Sequence, residues 1–224
     1  MKRVLFVTAT DTGAGKTVLS SLLVRYLRET GRPVLAFKPL CSGGRGDAEA
    51  LYAALDETIP LDIVNPWHFR VPVAPVLAAR RGKKRVVLAQ VLAHIRSHGK
   101  NNDPIVIEGA GGLLSPLGED FDSRSLIVRL RARALVVAPN KLGVVNHLLL
   151  TLEALPPAIR SQAQIILMSP PKQDLATATN LELIREQLPP HSIYVFPWLG
   201  ARFSPPSALN LPAVRRVLKA LAAE

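Results

Sequence analysis

The chain has 224 residues, 48% of them hydrophobic, and carries a formal net charge of +11 at pH 7. This length predicts one domain, residues 1–224, that is large enough to bury a core. No stretch approaches the roughly 20 apolar residues that span a bilayer, so we do not expect a membrane partner. The one cysteine, Cys41, excludes an internal disulfide framework and favours a cytoplasmic location.

The basic residues lie in scattered groups, at positions 80–85, 129–133 and 215–216. No aromatic residues interleave with them, so a platform for stacking bases is not indicated. We interpret these groups as solvated surfaces and do not expect nucleic acid as a partner. A basic nucleic-acid-binding module remains an alternative, but only the net charge favours it.

Short apolar runs alternate with segments of helical periodicity along the chain. Strands are predicted at residues 4–8, 33–37, 104–107, 134–138, 164–168 and 192–196. Helices are predicted at residues 16–30, 47–54, 73–81, 86–97, 143–154, 174–187 and 212–222. Short strands that are apolar on both faces belong to a buried parallel sheet. The pattern therefore predicts a doubly wound α/β fold, a mostly parallel sheet flanked by helices.

A glycine-rich loop that ends in Gly-Lys-Thr follows the first predicted strand. Gly13 and Gly15 allow backbone N–H groups to close around phosphate oxygens, and the following helix directs its positive end at the same anion. In such a loop Lys16 reaches the β- and γ-phosphates, and the Thr17 hydroxyl binds Mg²⁺. Thr10 stands where the motif usually has its first glycine, so an ordinary turn that opens a helix is the alternative.

Charged residues also follow the second and third predicted strands. Ligands of such sheets bind beyond the carboxyl ends of the strands, which places Lys38 near the phosphate loop. Glu108 ends the third strand, where a carboxylate can hold Mg²⁺ directly or through water. Asp47 is either a helix N-cap or an acidic group near the metal. The alternatives for Lys38 and Glu108 are a surface lysine and a glutamate that ends a strand by chance.

Residues 139–147 lead from the fourth predicted strand into a helix, whose N-terminal N–H groups are available to an anion. The histidines lack the spacing of metal ligands, and nothing resembles a Ser-His-Asp triad.

Together these motifs resemble those of the dethiobiotin synthetases, the carboxylating ATP-dependent enzymes of biotin synthesis. They run in the family's order across nearly the whole chain and comprise residues 10–12 and 15–17, Lys38-Pro39 with Ser42-Gly43, Asp47, Asn65-Pro66 with Pro72 and Pro75, residues 108–112 with Pro116-Leu117, residues 141–143 with Asn146-His147, and Pro197-Trp198-Leu199. The resemblance implies a three-layer fold like that of P-loop NTPases.

The resemblance also implies a reaction. An amine of 7,8-diaminononanoate captures CO₂ as a carbamate, and ATP phosphorylates the carbamate. The neighbouring amine then closes a cyclic urea, which gives dethiobiotin, ADP and phosphate. ATP is thus a co-substrate and Mg²⁺ the implied cofactor.

The roles of individual residues are implied by the same resemblance. The catalytic residues are Thr12, Lys16, Lys38 and Ser42. The nucleotide-binding residues are Gly13, Ala14, Gly15, Lys16, Thr17, Val18, Asp47, Ser169, Pro170, Pro197, Trp198 and Leu199. The substrate-binding residues are Thr12, Lys38, Ser42, Gly111, Gly112, Leu142, Gly143, Val144, Val145 and Asn146. The Mg²⁺ ligands are Thr17, Asp47 and Glu108.

In the family the substrate carboxylate lies at a helix N-terminus of a second subunit. That helix start corresponds to residues 142–146 of this chain, so the resemblance implies a homodimer with its substrate site at the interface.

The chain departs from the family at the residues that contact the base. The family commonly has Asn-Asp after the fifth strand, where this chain has Ser169-Pro170. A serine hydroxyl cannot present the donor and acceptor of an amide, and Pro170 lacks an N–H. We therefore expect a relaxed nucleotide preference, with CTP or GTP used alongside ATP.

Two related classes of enzyme are alternatives. A partition-type ATPase that binds DNA or membrane carries a lysine second in the phosphate loop, where this chain has Asp11. A cobyrinate-type amidating enzyme carries a glutaminase domain with a catalytic cysteine, whereas Cys41 lies in the segment from Lys38 to Gly43.

Overall fold

A computed structural model describes residues 3–188, 190–201 and 204–223 of the chain. Residues 1, 2 and 224 of the predicted domain therefore lie outside the described residues, as do 189, 202 and 203. Within the described part, no helix combines the length and the apolar character needed to cross a bilayer.

The strands of the described residues form one large and one small sheet. In chain order they are β1 (Val4–Ala9), β2 (Leu35–Phe37), β3 (Leu40–Ser42), β4 (Trp67–Phe69), β5 (Ile105–Glu108), β6 (Arg133–Pro139), β7 (Gln164–Met168) and β8 (Ser192–Phe196). The large sheet has six strands in the order β2-β5-β1-β6-β7-β8, and β3 pairs with β4. All of these pairings are parallel.

Helices flank the large sheet. They are α1 (Lys16–Glu29), α2 (Gly46–Ala54), α3 (Leu61–Val64), α4 (Pro75–Arg81), α5 (Leu88–His98), α6 (Ser123–Leu130), α7 (Val144–Glu153), α8 (Pro157–Arg160), α9 (Leu175–Gln187), α10 (Pro205–Leu209) and α11 (Pro212–Ala223). A short 3₁₀ turn, Gly99–Asn101, follows α5. The predicted fold class, a mostly parallel sheet flanked by helices, is confirmed.

Strand β1 is the central support of the site. It pairs with β5 on one side and β6 on the other, with Phe6 opposite both Ile107 and Ala134. These three side chains are completely buried, as expected for a parallel sheet covered on both faces. The loop that follows β1 is therefore anchored at the middle of the sheet edge.

Some elements were not predicted. The small sheet of β3 and β4 was missed because each strand has three residues and includes a polar one, Ser42 or His68, whereas the equally short β2 is entirely apolar. The short helices α3, α8 and α10 were missed because four or five residues are too few for a periodic pattern. Helix α6 was missed although Asp122 marks its start: the Asp122 carboxylate accepts the backbone N–H of Ser125 at 2.7 Å.

The interpretation of Asp47 as a helix N-cap was wrong. Helix α2 begins one residue earlier than predicted, at Gly46, and its N-cap is Arg45. Asp47 therefore lies inside the first turn, where its side chain is free to bind a cation instead of the helix end.

Candidate active site

The glycine-rich loop after β1 has the backbone that an anion-binding loop needs. Gly13 and Gly15 have φ angles of 71° and 99°, in the left-handed region that favours glycine. Gly15 is also the N-cap of α1, and as a glycine it has no side chain to bond the first N–H groups of that helix. A Cβ at Gly15 would lie 3.0 Å from Cε of Met168, so the loop packs directly against the end of β7. The N–H groups at the start of α1 are thus available to phosphate oxygens.

Lys16 is a buried cation next to this loop. Its side chain reaches across to the loop after β5 and donates to the carbonyl of Gly111 at 2.8 Å and to that of Asp11 at 3.2 Å. Burial, followed by the repulsion of Lys38, lowers the pKa of Lys16. An anion beside it would offset both effects, which makes this position favourable for phosphate.

Lys38 follows β2 and forms a buried ion pair with the last residue of β5. Its Nζ atom donates to Glu108 Oε1 at 2.6 Å, to Asp47 Oδ2 at 2.9 Å and to the carbonyl of Gly109 at 2.9 Å. Burial alone would lower the pKa of Lys38, but the carboxylates of Glu108 and then Asp47 raise it above the ordinary lysine value. All three ammonium protons are therefore held by acceptors.

Glu108 is bound by helix α1 as well as by Lys38. Its side chain is completely buried. The Thr17 hydroxyl donates to Oε1 at 2.8 Å, and the Ser20 hydroxyl donates to Oε2. The predicted Mg²⁺ ligands Thr17 and Glu108 thus lie in direct contact, although they are far apart in sequence.

Asp47 completes this group from helix α2. Half of its side chain is exposed to the cavity, and it contacts Lys38 on its inner side. Burial would raise the pKa of Asp47, but the Lys38 ammonium outweighs this and holds the pKa below its ordinary value. The carboxylate is thus ionised at neutral pH and able to accept a cation.

The donor set of Thr17, Asp47 and Glu108 fits Mg²⁺. The described residues contain no group of three or more His, Cys, Asp or Glu side chains arranged around a metal position. Mg²⁺ commonly uses only one or two carboxylates and takes its other ligands from water and phosphate. The Lys38 ammonium already places one positive charge between Asp47 and Glu108, which marks that position as favourable for a cation.

A cavity of about 790 Å³ opens over these groups. The predicted site residues that line it are Thr12, Gly13, Gly15, Lys16, Thr17, Val18, Lys38, Ser42, Asp47 and Gly111. Its opposite wall is formed by β3 and by residues 72–75. Ala14 is a buried residue of the loop itself, and Gly112 follows Gly111 but does not line the cavity. The cavity thus brings together the phosphate loop and the two lysines.

Asn65 positions Lys38, a role that the sequence analysis did not assign. Asn65 is buried, and its amide donates to the backbone carbonyl of Lys38 at 2.6 Å. Arg45 in turn donates to the Asn65 side-chain oxygen at 2.9 Å. Asn65-Pro66 was among the matching motifs, so the signal was present, but the contact depends on the unpredicted strand β3.

Cys41 lines the same cavity but is not suited to nucleophilic chemistry. Burial raises the pKa of its thiol to about 11, so the thiolate is scarce at neutral pH.

The predicted base-binding residues lie at the carboxyl ends of β7 and β8, outside the cavity lining. Ser169 follows β7, and its backbone N–H donates to the carbonyl of Phe196, the last residue of β8, at 2.8 Å. This bond brings Ser169-Pro170 close to Pro197, Trp198 and Leu199. The Trp198 side chain is half exposed.

The predicted residues 142–146 also lie outside this cavity, beyond the carboxyl end of β6. Gly143, at φ 89°, is the N-cap of α7, and as a glycine it has no side chain to bond the first N–H groups of the helix. Leu142 is 82% exposed, whereas Val144 is buried. A buried amide pair, Asn140 and Asn180, joined by a hydrogen bond of 2.8 Å, holds this loop against α9.

Comparison with known proteins is consistent with this geometry. A family model described as an AAA domain matches residues 3–201. The ATP-dependent dethiobiotin synthetase BioD of Anaeromyxobacter dehalogenans (strain 2CP-1 / ATCC BAA-258) is 38% identical over 201 residues, which cover 88% of this chain and 90% of that protein. The protein of the same name from Anaeromyxobacter sp. (strain Fw109-5) is 41% identical over 157 residues, which cover 68% of this chain and 70% of that protein.

The structure is also similar to that of a ParA family ATPase from Chlorobium tepidum TLS. The TM-score is 0.60 at 15% sequence identity, and the match covers 100% of this chain and 98% of the other. Similarity at that identity shows a shared fold alone.

Gly15→Ala tests the backbone of the phosphate loop. A Cβ in the left-handed region costs about 1–2 kcal/mol, and here it would also meet Met168, so we expect ATP to bind at least about tenfold more weakly. The measurement is the dissociation constant from a fluorescent-nucleotide titration. Gly46→Ala is the matched control, since a Cβ there meets open space and its φ angle is not in that region. Equal effects of the two substitutions would contradict this interpretation.

Proposed function

This chain belongs to the ATP-dependent dethiobiotin synthetase family, and we infer that it is the cyclo-ligase that converts 7,8-diaminononanoate, CO₂ and ATP into dethiobiotin, ADP and phosphate in biotin biosynthesis. The observation that carries this inference is the meeting of two buried ammonium groups, Lys16 and Lys38, at one cavity beside the phosphate loop. Every intermediate of the reaction is anionic, and such a site stabilises anions.

The chemistry proceeds in three steps. An amine of the substrate attacks CO₂ and loses a proton, which forms an N–C bond and a carbamate. A carbamate oxygen then attacks the γ-phosphorus of ATP, and ADP leaves. Finally the neighbouring amine attacks the carbamate carbon, loses a proton and expels phosphate, which closes the five-membered urea.

We assign the residues of the cavity to these steps. Lys16 and the N–H groups at the start of α1 bind the β- and γ-phosphates, where negative charge moves during transfer. Lys38 stabilises the carbamate and the transferred phosphoryl group. Thr12 and Ser42, which both line the cavity, hold the reacting end of the diamine. To reach the carbamate, Lys38 must release one of its three present acceptors.

Mg²⁺ is the proposed cofactor. Thr17, Asp47 and Glu108 would hold it, and it would neutralise charge on the phosphates.

We further propose that the enzyme is a cytoplasmic homodimer. The N-terminus of α7 lies away from the chain's own cavity, is capped by Gly143 rather than by a side chain, and is preceded by the exposed Leu142. In that arrangement, residues 142–146 of one subunit bind the carboxylate of the substrate molecule that occupies the cavity of the other subunit. The need for ATP and the buried, unpaired Cys41 both suit the cytoplasm.

The direct test is incubation with 7,8-diaminononanoate, bicarbonate and Mg-ATP, followed by mass detection of the cyclic urea. We expect dethiobiotin and ADP in equal amounts. ADP production that does not depend on the diamine would instead favour a simple ATPase.

Lys38→Ala separates catalysis from nucleotide binding. We expect kcat to fall by about 10²–10³-fold, the effect of removing one donor to a developing anion, while ATP binding survives. The readouts are single-turnover kinetics and nucleotide titration. Lys84→Ala, at an exposed lysine, is the control and should leave both unchanged. Equal loss of kcat and of ATP affinity would point to structural damage, because the substitution also leaves Glu108 without its partner.

Ser169-Pro170 predicts a relaxed nucleotide preference. Neither residue supplies an amide side chain to the base, so we expect CTP or GTP to support turnover alongside ATP. Comparing kcat/KM for the four nucleoside triphosphates measures this. A preference for ATP above about a hundredfold, which corresponds to about 2.7 kcal/mol of discrimination, would contradict it.

A further inference from the structure

Helix α1 holds both carboxylate oxygens of Glu108, and one of the two donors has no role in the site described so far. Thr17 donates to Oε1, which also accepts the Lys38 ammonium. Ser20 donates to Oε2. Residues three apart lie on the same face of a helix, so Thr17 and Ser20 reach the same carboxylate from neighbouring turns.

We propose that Ser20 is a positioning residue: its hydroxyl fixes the rotation of the Glu108 carboxylate, so that Oε1 is presented to Lys38 and to the cation site. The proposal rests on the proposed function insofar as that assigns Mg²⁺ to Thr17, Asp47 and Glu108. It adds that the geometry of the metal site is set by a donor to Oε2, the carboxylate oxygen that does not contact Lys38.

The physical argument starts from burial. Ser20 and the Glu108 side chain are both completely inaccessible to solvent, so water does not replace a lost donor at Oε2. Without the Ser20 hydroxyl, Oε2 is a buried charged acceptor that has lost a donor, which is costly. The carboxylate then turns to share Thr17 and Lys38 between its two oxygens, and Oε1 leaves its position.

A purely local role for the Ser20 hydroxyl is disfavoured by its geometry. Serine in a helix often bonds the carbonyl of the preceding turn. Ser21 does this, since its hydroxyl donates to the carbonyl of Thr17 at 2.6 Å. The Ser20 hydroxyl lies 3.4 Å from the same Thr17 carbonyl, at the long limit for a hydrogen bond, and its close partner is Glu108. The two adjacent serines therefore have different partners and form a matched pair.

The experiment uses Mn²⁺ as the metal probe and the full chain with ADP bound. Free Mn²⁺ is followed by electron paramagnetic resonance, which gives a metal dissociation constant that does not depend on turnover. ADP binding is measured separately in a chelator, without metal. The variants are Ser20→Ala, Ser21→Ala and each combined with Glu108→Gln.

We expect Ser20→Ala to raise the Mn²⁺ dissociation constant by about 10-fold or more, as loss of an outer-shell partner of a metal ligand does. Metal-free ADP binding should change by less than about twofold, and Ser21→Ala should leave both unchanged. In the Glu108→Gln background, Ser20→Ala should add almost nothing, because residues that act through one group are not additive.

Unchanged Mn²⁺ affinity in Ser20→Ala would overturn the proposal. So would equal losses in Ser20→Ala and Ser21→Ala, or a matching loss of metal-free ADP binding, since these indicate a general disturbance of α1. A wild-type chain whose ADP complex binds no Mn²⁺ would overturn it too, by removing the metal site. None of these results depends on dethiobiotin formation, so failure of the cyclic-urea assay is a separate outcome.

Discussion

The buried ion pair between Lys38 and Glu108 is the interaction on which the site depends. Taking two charges out of water is costly, and such a pair persists only where further hydrogen bonds satisfy both partners. Here Asp47 and the Gly109 carbonyl accept the other two hydrogen bonds of the Lys38 ammonium, while the Thr17 hydroxyl donates to the Glu108 carboxylate. Removing one member of a pair of this kind typically costs about 3–5 kcal/mol, because an uncompensated charge remains. The pair thus joins the ends of β2 and β5 to α1 and α2.

Parallel topology is what makes this pair possible. Lys38 and Glu108 are 70 residues apart in the chain, yet β2 and β5 are neighbours in the sheet and end at the same edge. Strand β1 lies on the other side of β5, so the phosphate loop reaches the same point. The order of strands, rather than any local motif, concentrates the positive charges of Lys16 and Lys38 over one cavity.

The sequence predicted those features that local pattern determines. The six strands of the large sheet are continuous apolar runs, and the Gly-Lys-Thr loop has a fixed spacing, so both were found. The sheet of β3 and β4 was not found, since its three-residue strands are interrupted by Ser42 and His68 and so form no continuous apolar run. The contact of Ser20 with Glu108 could not be predicted from the sequence either, because it depends on the rotation of α1 about its axis relative to β5. For Asp47 the sequence left two interpretations open, and the start of α2 at Gly46 removes the helix N-cap, because a boundary shift of one residue is below what a sequence pattern resolves.

The two sides of the cavity come from different parts of the architecture. The side that carries the proposed phosphate loop is built on the large sheet, whereas the opposite wall is formed by β3 and residues 72–75. Apart from Ser42, which we assign to the substrate, the wall can therefore diverge during evolution without altering the proposed phosphate loop. Changes in the size or shape of the carbon skeleton that is accepted would arise there, and a new specificity would not require a new catalytic centre.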